Sequence, residues 1–436
     1  MAKSKNQPSF WKKNGHKIIG YSTLAFSLLI CVFLITMVSN SRNSSVSAND
    51  PTETVSEIHL LLKNTDLATV HAGSKSVKYP GNSLYIKDNG ETIYSFDENV
   101  ELKGRGNSTW AQNKKPYQIK FNTKTDLFNL GASKKWVLLA DALDPTHMRN
   151  DIANYLARVL DMDFTRDGKY VNLYVDEEYI GFYYLTHKVE IGSATVNLKD
   201  DLGILLEMEN LHGDPEDEIA FVSEGNQNYF VLSEAVSEDE ILINAATALF
   251  ERDYNLFEKA ITAKNYEEIM RLIDVDSFVK YFLISEFSIN PDAYSSSFYF
   301  YKDGPEDKIH TGPIWDFDYS FANERWNYDS NCDTLSPNVS LGTKSCFINN
   351  PQVSNIFYDL LEIPEFIDEV KKVFTEKMSG KSEDLMAYYD DRTNLIRESA
   401  TADLAKWGTD SFEDEVLYLR NWLSARYAHF EETYGM

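Results

Sequence analysis

The spacing of apolar residues changes character once along this 436-residue chain, and that change limits its fold more than any other feature. From Ser56 to Asn122 apolar residues tend to recur at every second position. Ile58, Leu60 and Leu62 do so, as do Tyr117, Ile119 and Phe121, with Lys120 on the opposite face. A period of two marks half-buried strands. Asp88-Asn89-Gly90 supplies a hairpin turn. A second hairpin is predicted over Tyr170 to Val189, turning at Asp176-Glu177-Glu178, and Gly203 to Glu209 reads as a further short strand. Between them, Asp144-Pro145-Thr146 opens a helix whose stripe is Ile152, Tyr155, Leu156 and Val159. Farther on the pattern turns helical, from Glu238 to Phe287 and again from Pro364 to the end. Tyr299 to Tyr301 and Gly312 to Phe317 read as strands flanking a polar turn. The expected class is α+β, with a β-rich part at about 56–210 and a helix-rich part at about 211–436.

The first 55 residues read differently. Residues 1–17 carry five lysines and no acid, and Ile18 to Val38 is a run of 21 residues without a charge. Such a run spans a bilayer as a helix. Its basic flank holds the N-terminus in the cytoplasm and puts the rest outside. Residues 39–55, rich in Ser and Asn, form a linker. The expectation is a single-pass cell-membrane protein with an extracytoplasmic domain over 56–436. A cleaved, secreted form is the alternative, since Val46-Ser47-Ala48 resembles a small-residue cleavage site.

Beyond residue 49 the chain carries 68 acids against 36 bases. A surface of that sign repels nucleic acid and anionic lipid. Cys332 and Cys346 lie on the outer side, where a bridge between them would close a 15-residue loop.

Several segments carry chemistry. Lys103-Gly104-Arg105-Gly106-Asn107-Ser108 follows a strand, and its glycines let a ligand approach the backbone. Arg105 is a candidate phosphate ligand, with Asn107 and Ser108 as further donors; a tight turn with its arginine paired to an acid is the alternative. Lys115 and Lys120 are candidate phosphate clamps, or a solvated edge. Arg149 opposes the dipole of its helix, which calls for an anionic ligand or a buried acid. Glu207 and Glu209 share one strand face, as do Asp316 and Asp318. Such pairs either share a cation or split into acid and base. Asp292 lies 24 residues before Asp316, and a lone acid followed by an acid after a strand suits phosphoryl transfer. An acid-pair carbohydrate hydrolase remains an alternative.

Taken in order, Arg105-Gly106-Asn107-Ser108, Lys114-Lys115-Pro116-Tyr117, Thr146-His147-Met148-Arg149-Asn150, Tyr179-Ile180-Gly181-Phe182-Tyr183, Asp292 and Trp315-Asp316-Phe317-Asp318 resemble the spore-coat-protein-H (CotH) kinase family. The resemblance runs from about Ile58 to the helix holding Trp422 and Arg426. It implies a two-lobed, protein-kinase-like fold that binds ATP with Mg²⁺ or Mn²⁺ and acts on Ser or Thr of a protein or cell-surface acceptor. By position, Asp292 resembles the catalytic-loop acid and Asp316 the metal-binding acid. Asp318 stands where other kinases have glycine after that acid and is a candidate metal ligand. Ser297 occupies the place of a metal-binding asparagine, and His187 stands where many relatives carry Glu. These two departures keep open a weakly active or inactive surface-binding protein on the same scaffold.

Overall fold

Seven strands close into a barrel: β1 (Ser56–Leu61), β2 (Lys78–Asp88), β3 (Glu91–Gly104), β4 (Tyr117–Asp126), β5 (Ala132–Leu139), β6 (Gly168–Val175) and β7 (Glu178–His187). The order around it is β1-β2-β3-β4-β5-β7-β6, and β6 closes the barrel by pairing parallel to β1. This computed structural model describes residues 53–210, 219–323, 335–340, 356–408 and 410–435. The Ile18–Val38 run and both outer cysteines lie outside the described residues. No helix among the described residues is long and apolar enough to cross a membrane.

Alternation places Ile58, Leu84, Ile86, Ile119, Phe121 and Leu173 in the barrel interior. Both expected hairpins form. Asn89-Gly90 and Asp176-Glu177 each have two successive positive φ angles, the geometry that matches the twist of paired strands. Helix α1 (Leu67–Ala72) lies between β1 and β2, and α2 (Arg149–Val159) between β5 and β6.

A second sheet has the order β12-β11-β8-β10-β9. Its strands are β8 (Gly203–Met208), β9 (Ala220–Val222), β10 (Tyr229–Ala235), β11 (Phe298–Asp303) and β12 (His310–Thr311). The stretch expected as one helix is three: α3 (Glu240–Thr262), α4 (Tyr266–Leu272) and α5 (Val275–Ser288). Asp239, Asn265 and Asp274 each cap a new start with the side chain, and each such cap satisfies an orphan N–H. Helices α6 (Ile356–Leu360), α7 (Pro364–Lys377), α8 (Ser382–Trp407) and α9 (Phe412–Tyr434) complete the described chain. One apolar core joins these helices to the second sheet and reaches Tyr170, Phe182 and Tyr184 of the barrel.

The strand expected at Gly312 to Phe317 does not form. The last backbone bond to β11 is Gly312 N to the Tyr299 carbonyl at 2.8 Å; beyond it Pro313 has no N–H and Asp316 takes φ +68°.

Helix α8 grips the barrel through the Tyr179–Tyr183 motif. Asp403 accepts from Phe182 N at 2.7 Å and from Lys114 Nζ at 2.8 Å, and Trp407 Nε1 donates to the Ile180 carbonyl at 2.7 Å. Gly181 is needed there, since a Cβ would lie 2.6 Å from Asp403 Oδ1.

Candidate active site

Four segments meet beside the barrel rim. The first follows α5, which ends at Ile289 with φ +49°. The carbonyl of Asp292 then accepts from Ser295 N and Ser296 N, both at 3.0 Å, and Asn290 Oδ1 accepts from Asp292 N at 3.1 Å. The acid therefore sits in a self-bonded turn. Ser297, at φ +52°, points its hydroxyl at Asp316 Oδ2, 3.4 Å away.

The second segment leaves β12. Phe317 N donates to Asn150 Oδ1 at 2.9 Å, and Asn323 Nδ2 donates to the Asp318 carbonyl at 2.7 Å. This irregular path lets exposed Asp316 and buried Asp318 line the same cavity, although they do not share a strand face. The third segment is the end of β8. Glu207 stands opposite Tyr299 of β11 and accepts from its hydroxyl at 2.9 Å, and Glu209 accepts from Ser296 Oγ at 2.5 Å.

The fourth is the glycine loop after β3. Gly106 has φ +81°, and a Cβ there would sit 2.0 Å from Thr109 Oγ1, so only glycine fits. Lys75 Nζ donates to Asn107 Oδ1 and ties the loop to the chain after α1. The Arg105 guanidinium lies 5.0 Å from the Trp315 ring centre, and buried Arg166 lies 4.2 Å from the same ring.

These segments enclose a cavity of about 240 Å³ lined by Arg105, Asn107, Ser108, Glu207, Asp292, Ser297, Asp316 and Asp318. Asp141, Asn150 and Glu209 line it too. Next to it, sharing Arg105, Gly106, Tyr299 and Trp315, is a cavity of about 270 Å³ with Lys75, Lys103 and Lys188 in its wall. An acidic chamber thus adjoins a basic one.

The acids bear on one another. Burial, reinforced by Asp316 and then Glu209, pushes the Asp292 carboxyl up to about 7. Burial, then Glu209, pushes Glu207 up to about 7. Burial and then Asp316 hold Asp318 well above the usual carboxylate range. Burial, then Asp144, takes Asp141 up to about 8. Such shifts mark carboxylates short of positive charge.

A hard divalent cation prefers oxygen ligands of this kind. Asp318 Oδ1 is buried without a hydrogen-bond partner, and such an atom is costly unless something binds it. The donor set therefore fits Mg²⁺ or Mn²⁺. Among the described residues, no three His, Cys, Asp or Glu side chains already converge on one metal position. Phosphate oxygens and water complete such sites in phosphoryl-transfer enzymes.

Lys115, Lys120 and Arg149 are not brought to the cavity. Lys115 Nζ turns back to the carbonyls of Trp110, at 2.7 Å, and Gln112, at 3.2 Å. Lys120 stands on β4 between Glu101 and Lys135 of the flanking strands and does not line either chamber. Arg149 is buried, with Nη1 on Asp144 Oδ1 and Nε on the Ser320 carbonyl at 2.9 Å. Its anionic partner is a residue of the chain. His187 is buried in the barrel and bonds the Gly131 carbonyl at 3.0 Å.

Sequence reasoning missed Asp141, Arg166, Lys75 and Lys188. An acid soon after the apolar run Trp136–Leu139 was the one available signal. The others reach the site through tertiary contacts that leave no pattern in the chain.

No curated protein matches the chain. The model of the CotH kinase protein family matches residues 102–430, about three quarters of the sequence, and spans all four segments. The chain belongs to the CotH kinase protein family.

Proposed function

We propose that the chain transfers a phosphoryl group from ATP to a hydroxyl of a protein or cell-surface acceptor, with Mg²⁺ or Mn²⁺. The main support is the convergence of Asp292, Asp316 and Asp318 on an acidic chamber that shares Arg105 with a basic one. In this proposal the β-rich part at about 56–210 and the helix-rich part at about 211–436 are the two lobes of a kinase-like fold. The uncharged run Ile18–Val38 anchors the protein, with the enzyme outside the cell membrane.

Arg105 would hold phosphate oxygens, with Lys75, Lys103 and Lys188 beyond it and Asn107 and Ser108 as further donors. Asp316 and Asp318 would hold the cation, with Ser297 Oγ and Glu207 beside them. When bound, the cation neutralises phosphate oxygens as charge builds up in the transition state. Asp292 orients the acceptor hydroxyl. It takes the proton as the new O–P bond forms and the bond to the departing ADP oxygen breaks. A carboxyl pushed up to about 7 is matched to that task near neutral pH. Trp315, held against Arg105 and Arg166, keeps the shared wall rigid.

The test is thermal melting of the intact chain with ATP and Mn²⁺, beside Asp316→Ala. A melting temperature that climbs with nucleotide concentration only when Asp316 is present supports the proposal. No nucleotide-dependent shift and no metal-dependent ATP turnover would sink it.

A further inference from the structure

Asn150 sits in the first turn of α2, and its single side-chain amide makes two bonds of opposite polarity. Oδ1 accepts from Phe317 N at 2.9 Å, across 167 residues of sequence. Nδ2 donates to Asp141 Oδ1 at 3.1 Å. Asp141 and Asp316 both line the acidic chamber, as does Asn150 itself. We propose that Asn150 is a positioning residue that holds the Asp316–Asp318 turn and the Asp141 carboxylate in fixed register across the chamber. Its functional half rests on the phosphoryl-transfer proposal above.

The local chemistry selects this side chain. Asp316 is held at φ +68°, a left-handed conformation that non-glycine residues adopt only when their surroundings enforce it. The peptide N–H directly after it is the one that Asn150 receives. Asp141 is also left-handed, at φ +45°, and its side chain is bonded by the same amide. An ionised Asp at 150 could accept from Phe317 but not donate to Asp141, and Leu could do neither.

The platform beneath is firm. Arg149 Nε donates to the Ser320 carbonyl at 2.9 Å, and Arg149 N donates to Asp144 Oδ2 at 2.9 Å. Asn323 Nδ2 reaches the carbonyls of Leu143, at 2.9 Å, and Asp318, at 2.7 Å. The Thr146–Asn150 motif is thus the seat of the acidic turn, and Asn150 is its member facing the chamber.

The experiment compares the full chain with Asn150→Leu and Asn150→Asp. Three quantities are read: amide exchange over 314–320, Mn²⁺ affinity by titration, and kcat against KM for ATP. Asn150→Leu should speed exchange in that peptide while the rest of the chain keeps its protection. It should weaken Mn²⁺ binding by about tenfold or more, as loss of an outer-shell partner does, and lower kcat more than it raises KM. Asn150→Asp keeps the acceptor, so its exchange over 314–320 should stay near that of the parent. Equal exchange in all three proteins overturns the proposal. So does faster exchange or unfolding throughout either variant, which would mark Asn150 as a stability residue only. Local loosening with unchanged Mn²⁺ affinity and kcat overturns it as well. If the parent chain neither binds Mn²⁺ nor turns over ATP, phosphoryl transfer fails, and the exchange contrast still decides whether Asn150 positions the turn.

Discussion

Two acid clusters lie near the start of α2, and they are in opposite electrical states. At the start of α2, Asp144 receives Thr146 N at 2.9 Å, Thr146 Oγ1 at 2.6 Å, Arg149 N at 2.9 Å and the Arg149 guanidinium. Although burial works the other way, the charge of Arg149 and these bonds hold the Asp144 carboxyl below the usual carboxylate range. In the chamber, Asp318 keeps an unpartnered oxygen, and Asp292 and Glu207 are pushed up to about 7. Asp144 and Asp318 are both deeply buried, and the charge around each separates an acid neutralised within the fold from one set among other acids.

The widest effect should come from breaking the satisfied cluster. Arg149→Met leaves Asp144 buried without its cation, and denaturant unfolding should show a loss of about 3–5 kcal/mol. Any rise in the KM for ATP of the molecules that remain folded should be secondary to that loss, because Arg149 touches the acidic turn only at the Ser320 carbonyl. A higher KM at unchanged stability would erase the distinction between the clusters.

In the unsatisfied cluster, Asp318→Asn should act the other way. ATP turnover should fall by at least about a hundredfold, as when an electrostatic contact to a transition state is removed. The metal-free protein should melt higher than the parent at pH 8, because a carboxyl whose ionisation the fold disfavours is gone. A variant that melts lower would place Asp318 with the structural acids.

pH sharpens the same contrast. Asp292 and Glu207 bind protons up to about pH 7 in the folded chain but release them in the ordinary carboxylate range once unfolded. Between those limits the folded state carries more protons, so metal-free stability should fall as pH rises from about 4; the contribution of Asp292 and Glu207 levels off above about 7, while Asp141, pushed up to about 8, carries the fall further. Excess Mn²⁺ should flatten or reverse the slope by favouring the ionised acids. Scanning calorimetry across that range, with and without Mn²⁺, measures both.

The smallest effect is expected at Lys120, which lies outside both chambers. Lys120→Ala should change the KM for ATP less than about twofold and stability by less than about 0.5 kcal/mol. A large rise in KM would bring β4 into the nucleotide site.

Much of the fold was legible because it rests on local rules. Alternation at Ile58–Leu62 and Tyr117–Phe121 marked barrel strands, and Asn89-Gly90 marked a hairpin, because side-chain period and positive φ are properties of a few neighbouring residues. Three capping residues were overlooked, so one long helix was expected where three stand. The strand expected at Gly312–Phe317 was lost because Pro313 lacks an N–H and Asp316 is left-handed, and period-two spacing does not register that. Within the site, Asp292, Asp316 and the Arg105 loop could be singled out because acids and glycines are conspicuous in apolar surroundings.

The sequence by itself determined the classes of element, their order and a short set of reactive side chains. Those follow from interactions within a few residues. Tertiary structure alone decided which charges were already neutralised. Arg105 and Arg149 look alike as letters, yet one faces an open chamber and the other is closed on Asp144. Lys114 likewise ends on Asp403, nearly three hundred residues away. A charge is free or spent according to what stands within a few ångströms of it, and only the folded chain sets that distance.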